Sequence, residues 1–196
     1  MLTKTQLDIL KHFTANITGE FSIREVAISL KKPYALTHQA TQVLLEEGYL
    51  SKSRGISLNY HAHHATLAYI ESLRAAEWLA KKAAVKLFIA DVVSELKSDY
   101  FTLLIFGSAV KKRTYHDVDV LLIVADDHQC ENAEKVMHTI AKRSTVPFDI
   151  QVITAESVYE MLSKRTQLNV MNEILDNHIL LFGAENLYRM VDRARQ

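Results

Sequence analysis

The sequence predicts an α/β protein carrying a small, mostly helical unit on its N-terminal side, the two joined by a long helix. Three observations carry this expectation. Apolar runs of strand length recur at residues 103–106, 118–124 and 148–152, with a helix-like stretch at 133–143 between the second and third. Residues 1–47 instead repeat apolar side chains at helical spacing, with breaks at Gly19, Pro33 and Gly48. Residues 65–97 contain neither Gly nor Pro and are rich in Ala, Leu, Lys and Glu, which reads as one long or two abutting helices. The expected boundaries are therefore 1–60 for the N-terminal unit, 61–98 for the connecting helices and 99–196 for the sheet-bearing domain with its C-terminal helices.

Composition narrows the class. A chain of 196 residues with 48% hydrophobic side chains has room for one large core or two small ones. Its 23 Lys and Arg cancel its 23 Asp and Glu, which argues against a broad unspecific basic surface but not against a local patch. Two prolines and five glycines leave little material for a disordered linker. The single Cys130 excludes an internal disulfide and fits a reducing cytoplasm, where it reads as an inert thiol near a loop. No secretory signal pattern is seen, and no apolar run approaches the roughly 20 residues of a membrane span, so no membrane partner is expected.

Along the N-terminal unit, Leu7, Ile9, Leu10 and Phe13 give a first helix its apolar face, with Thr5 as the expected cap. Ser22 followed by Glu25 forms a capping box for a second helix, which carries Val26, Ala27, Ile28 and Leu30 and stops near Pro33. A third helix spans 34–46 with Leu36, Ala40, Val43 and Leu44 turned inward, and Gly48 ends it. Short strands at 49–52 and 56–60 flank the turn signal Arg54-Gly55. Three helices followed by a hairpin, with LLEEGYL at 44–50 as the exit, resemble a winged helix-turn-helix domain. The resemblance implies that Tyr34, Thr37, His38, Gln39, Thr41 and Gln42 face a groove of duplex DNA, with Lys31, Lys32, Lys52 and Arg54 near phosphates. Winged helices also serve as protein-contact and dimerisation modules, and this unit is not conspicuously basic, so both readings stay open. A homodimer through this unit or the long helix is compatible with either.

His61, His63 and His64 follow as a cluster, but no Cys or second His pair stands nearby to complete a tetrahedral site, so a solvated junction is expected. In the connecting segment Trp78 reads as a packing residue.

The chemistry concentrates at 101–124. The run ending at Phe106 meets Gly107-Ser108, a short basic loop follows, and Asp117-Val118-Asp119 opens the next apolar run. Alternation along a strand puts Asp117 and Asp119 on one side, where two carboxylates repel unless a cation sits between them. Mg²⁺, a hard ion taking oxygen ligands and accompanying phosphates, is the expected cation. Gly107 would let a bulky ligand approach the backbone, and Ser108 offers a hydroxyl and an amide, to which the N-terminus of a following helix would add. Asp149, between Phe148, Ile150 and Val152, points away from the face they define. Asp126 and Asp127 read as a loop and helix start.

An apolar residue with Gly-Ser, a loop, Asp-x-Asp in a strand and a later in-strand Asp together resemble the nucleotidyltransferases of the DNA polymerase β type. The resemblance implies a mixed sheet and transfer of a nucleoside monophosphate from an NTP, with ATP the first choice, to a hydroxyl. Asp117, Asp119 and Asp149 would hold two Mg²⁺ ions, or Mn²⁺, while Gly107 and Ser108 hold the triphosphate. Lys111, Lys112 and Arg113 would neutralise phosphate charge, or form a solvated basic loop. Two departures stand out: the loop from Ser108 to Asp117 is shorter than usual and lacks its glycine, and His116 stands where a Ser commonly precedes the first Asp. The tail resembles the end of small nucleotidyltransferases fused to a winged helix, with residues 179–182 a short strand closing the sheet edge. The acceptor would be a protein hydroxyl, such as that of a toxin paired with a nucleotidyltransferase antitoxin, a nucleic acid end or a small molecule. The other reading is a DNA-binding regulator or antitoxin whose transferase fold is a nucleotide sensor or an inactive scaffold.

Overall fold

Two capping boxes set the first helices. Thr3 accepts from the Gln6 N–H while Gln6 Oε1 accepts from the Thr3 N–H, so α1 (Lys4–Thr14) begins two residues earlier than a Thr5 cap would place it. Ser22 and Glu25 exchange the same pair of bonds at α2 (Ile23–Ser29). These elements belong to a computed structural model that describes residues 1–96, 100–112, 114–164 and 169–195. Pro33 precedes α3 (Tyr34–Glu46), whose exit is a Schellman motif: Gly48, at φ +75°, donates to Leu45 O and Tyr49 to Leu44 O. The antiparallel pair β1 (Leu50–Lys52) and β2 (Ile56–Leu58) follows, and Phe21 bridges to Ile56.

One inward stripe differs from expectation. On α3 the buried residues are Thr37, Ala40, Thr41 and Leu44, while Leu36 is 45% exposed. Both threonines are withdrawn from solvent and do not face a groove. Thr37 Oγ1 donates to Pro33 O at 3.1 Å and Thr41 Oγ1 to Thr37 O at 2.7 Å, so each hydroxyl is satisfied inside the helix and the compact side chain packs as an apolar one.

The connecting segment forms two helices, α4 (His64–Leu79) and α5 (Ala83–Glu95), and neither is a bare spacer. The sheet strands are β3 (Thr102–Phe106), β4 (Val118–Val124), β5 (Phe148–Thr154) and β6 (His178–Phe182), in the order β5-β4-β3-β6. Strands β4 and β5 run parallel, while β3 is antiparallel to both β4 and β6, which makes the sheet mixed. A single turn, α6 (Ser108–Lys111), follows β3, and α7 (Asp127–Ala141) makes the crossover. After β5 come α8 (Ala155–Ser163), α9 (Val170–Leu175) and, past the edge strand, α10 (Ala184–Ala194).

Alternation along the strands divides the core. Leu103, Ile105, Val120 and Leu122 face α5 and α7, where Phe88 stacks on Phe148 at 3.8 Å and Trp78 packs partly buried. Leu104, Phe106, Leu121 and Ile123 face α8 and α10, and this apolar cluster runs on through Leu67 and Ile70 of α4 to Ile9, Leu10 and Phe13. Among the described residues no helix is long and apolar enough to cross a membrane.

A buried polar quartet sits in that second layer. Glu71, His178 and Tyr188 are fully buried and Arg74 nearly so. Glu71 Oε1 accepts from the Tyr188 hydroxyl at 2.8 Å and lies 3.3 Å from His178 Nε2, while Arg74 donates to Glu71 Oε2 and to the His178 carbonyl. Burial pushes the Glu71 carboxyl up, but the Arg74 guanidinium, the His178 ring and the Tyr188 hydroxyl outweigh it and hold it below its ordinary 4.5. Because folding lowers this pKa, the stabilisation is complete above 4.5 and is lost as pH falls through the folded value. Removing one partner leaves Arg74 uncompensated in the core, so Glu71→Ala is expected to cost about 3–5 kcal/mol in urea unfolding at pH 7. A loss below about 1 kcal/mol would show that water reaches the quartet.

Candidate active site

Strand register brings two of the three predicted carboxylates together. Asp119 on β4 is paired with Asp149 on β5 and with Phe106 on β3, so these side chains leave the sheet on one side in a row. Parallel neighbours are spaced by about 4.8 Å. Asp117 precedes β4 by one residue and reaches Asp119 electrostatically. Asp149 is exposed, and Asp117 and Asp119 are half-buried.

Gly107 is required by its backbone conformation and by the space beside it. Its backbone lies at φ +69°, ψ −145°, a region that side chains avoid. An added Cβ would stand 2.8 Å from Asp119 Cγ and closer still to Oδ2. The absent side chain is thus the space in which the Asp119 carboxylate lies, beside the N–H of Ser108.

The electrostatics are those of neighbouring acidic groups. Burial and then the Asp117 charge raise the Asp119 carboxyl above its ordinary 3.8, Asp149 adds to the rise, and the Ser108 N–H opposes it. Among the described residues none of the three carboxylates forms an ion pair. Of the predicted cations, Lys111 is exposed and lies 4.0 Å from Glu173 of α9. Also among the described residues, no three His, Cys, Asp or Glu side chains converge into a closed metal cluster, so the carboxylates stand as neighbours and not as a preformed cage. The donor set nevertheless fits Mg²⁺: all-oxygen, anionic, without an ion-pair partner among the described residues and destabilised by its own repulsion.

The remaining expectations divide. Ser108 is half-buried beside Gly107, and Lys112 is exposed in the same loop. Arg113 lies outside the described residues. The helix expected after Ser108 is one turn, with the N–H groups of Val110 and Lys111 both directed at Gly107 O, so its dipole adds little to anion binding. Asp126 caps α7 by accepting from the Gln129 N–H at 2.9 Å, in agreement with a structural role. His61 pairs with Asp192, His63 stacks on Tyr49 and His64 contacts Tyr60 O; the three rings have separate partners.

On the N-terminal unit, Tyr34 is 55% exposed with its ring 5.9 Å from that of His38. His38 and Gln39 are exposed and Gln42 half-buried along α3, with Lys52 and Arg54 exposed in the hairpin. Lys31 is exposed, whereas Lys32 is engaged by Asp8 at 3.0 Å.

Two groups of residues escaped the sequence reading. Glu71 and Arg74 share the buried stripe of Leu67, Ile70 and Ala75, and two charged residues on an apolar stripe were the available signal. Asn177, which donates to Gly107 O at 3.2 Å, carried none. No family model, no curated protein and no solved structure matches this chain.

Folding raises the Asp119 pKa, so its cost to stability is absent below 3.8, sets in as pH rises through the folded value and is complete above it. Asn retains an acceptor for the Ser108 N–H without the charge. Asp119→Asn is therefore expected to melt at or above the wild-type temperature at pH 7, with the advantage vanishing towards pH 3.5. A clearly lower melting temperature at pH 7 would show the carboxylate to be neutralised internally. Gly107→Ala, by contrast, should lose about 2 kcal/mol or more through backbone strain and the Asp119 contact, as read in the same melts.

Proposed function

We propose that the chain is an Mg²⁺-dependent nucleotidyltransferase of the DNA polymerase β type with an N-terminal winged-helix unit. It would transfer a nucleoside monophosphate from an NTP to a hydroxyl acceptor. The observation that carries this reading is the row of Asp119 and Asp149 on parallel strands, with Asp117 beside them and the Gly107-Ser108 turn against the Asp119 carboxylate. Asp117, Asp119 and Asp149 would hold the metal, which when bound supplies a more acidic attacking hydroxyl and charge neutralisation at the leaving oxygens. The chain's own contribution is positional. The Ser108 N–H holds the Asp119 carboxylate, the Ser108 hydroxyl would meet phosphate oxygens beside it, and exposed Lys111 and Lys112 would add positive charge where pyrophosphate leaves. Asp149, the most exposed of the three, would face an incoming acceptor.

A second activity is supported by the exposed face of α3. Tyr34, His38, Gln39 and Gln42 with Lys52 and Arg54 form a polar surface with local positive charge that fits duplex DNA, with Thr37 and Thr41 taking no part. On the regulator reading that surface is the working part, and the carboxylate site senses nucleotide without turnover.

The test is incubation with α-labelled ATP, GTP, CTP and UTP, Mg²⁺ or Mn²⁺, and a cell extract as acceptor pool. The wild type is expected to transfer label and Asp119→Asn to lose about 100-fold or more while remaining folded. Nucleotide binding without transfer would favour the sensor. If DNA is bound, Gln39→Ala should cost about 1–3 kcal/mol, and Lys52→Ala should lower the salt slope by about one; an unchanged affinity in both would remove DNA from the reading.

A further inference from the structure

The turn between α9 and β6 is anchored on two sides. Inward, His178 Nδ1 lies 2.7 Å from Ile174 O, its other ring nitrogen meets Glu71, and its carbonyl accepts from Arg74 at 2.6 Å. Outward, the Ile17 N–H donates to Leu175 O at 2.8 Å and the Thr18 hydroxyl donates to the Asp176 carboxylate. Asn177 stands between these anchors, half-buried, and its Nδ2 donates to Gly107 O at 3.2 Å.

We propose that Asn177 is a positioning residue for the candidate site: it sets the plane of the Gly107–Ser108 peptide and so aims the Ser108 N–H. The inference rests on the reading of that turn as the seat of the triphosphate. Glycine at φ +69° has neighbouring backbone states of similar energy, so local preference alone does not hold this peptide in place. In a planar trans peptide the C=O and the following N–H point in opposite directions. Holding the Gly107 carbonyl from the β6 side therefore turns the Ser108 N–H towards Asp119, where the N–H is found. The Val110 and Lys111 N–H groups reach the same carbonyl at 3.3 and 3.4 Å, but they belong to its own turn, whereas Asn177 ties it to another element. Asn177 is itself rigid because its chain neighbours are tied to the buried quartet and to the N-terminal unit. The N-terminal unit thus supports the catalytic turn in addition to any partner it binds.

The test has one arm that needs no activity. Amide hydrogen exchange by NMR on the metal-free full chain would compare wild type with Asn177→Ala and with Asn177→Asp, which keeps the shape but removes the donor. Exchange at Ser108, Val110 and Lys111 is expected to quicken about fivefold in both variants, while Leu121 and Leu122 of β4 keep wild-type rates and so report an intact fold. In the transfer assay, Asn177→Ala is expected to raise KM for the NTP about tenfold with kcat within about threefold. Unchanged exchange, wild-type exchange in Asn177→Asp, or faster exchange with an unchanged KM would each overturn the proposal. If the wild type transfers no label, the nucleotidyltransferase reading fails on its own and the exchange arm still decides whether Asn177 holds the turn.

Discussion

The Glu71 carboxylate is the constraint on which much of this architecture depends. A fully buried charge is tolerable only if its lone pairs are taken, and here Arg74, His178 and Tyr188 take them. Those partners come from α4, β6 and α10, so one satisfied charge fixes a helix, the edge strand and the last helix against each other. The edge strand cannot slip without breaking the set, because a shift of one residue would carry His178 to the opposite face of the sheet. Its register in turn places Asn177 against Gly107.

The candidate site obeys the opposite logic. Where the quartet neutralises its charge, Asp117, Asp119 and Asp149 are gathered without a described cation to answer them. Concentrated like charge works against the folded state, and on the proposed function a bound cation would repay that cost. The two arrangements lie on one face of one sheet: His178, Phe106, Asp119 and Asp149 occupy successive strands in register. The His178 end of the row is buried and the Asp149 end is exposed.

The N-terminal unit is part of this layout. Its core continues into the sheet's second layer through Leu67 and Ile70, and its α1–α2 loop clasps the α9–β6 turn through Ile17 and Thr18. Through that clasp it reaches the peptide beside Asp119, whether or not its outer face carries DNA.

By itself the sequence determined the elements and the chemistry on offer. The apolar runs at 103–106, 118–124 and 148–152 became β3, β4 and β5, the Ser22–Glu25 box began α2 and Gly48 closed α3 where expected, and the run at 179–182 closed the sheet edge as β6. These are local matters, set by periodicity, capping and backbone freedom within a few residues. The shared side of Asp117 and Asp119 was likewise legible, because strand alternation gives it, whereas Asp149 joined them only through the resemblance and its place beside Asp119 came with the β4–β5 register. What only the tertiary structure decided is which residues meet across long separations. The quartet joins positions 71 and 188, Asn177 meets Gly107 across 70 residues, and Thr37 and Thr41 turn inward in place of Leu36. None of these follows from hydropathy. A threonine whose hydroxyl is satisfied by its own helix packs like an apolar residue, and although Glu71 and Arg74 stand on an apolar stripe, the stripe does not say which residues of other elements satisfy them.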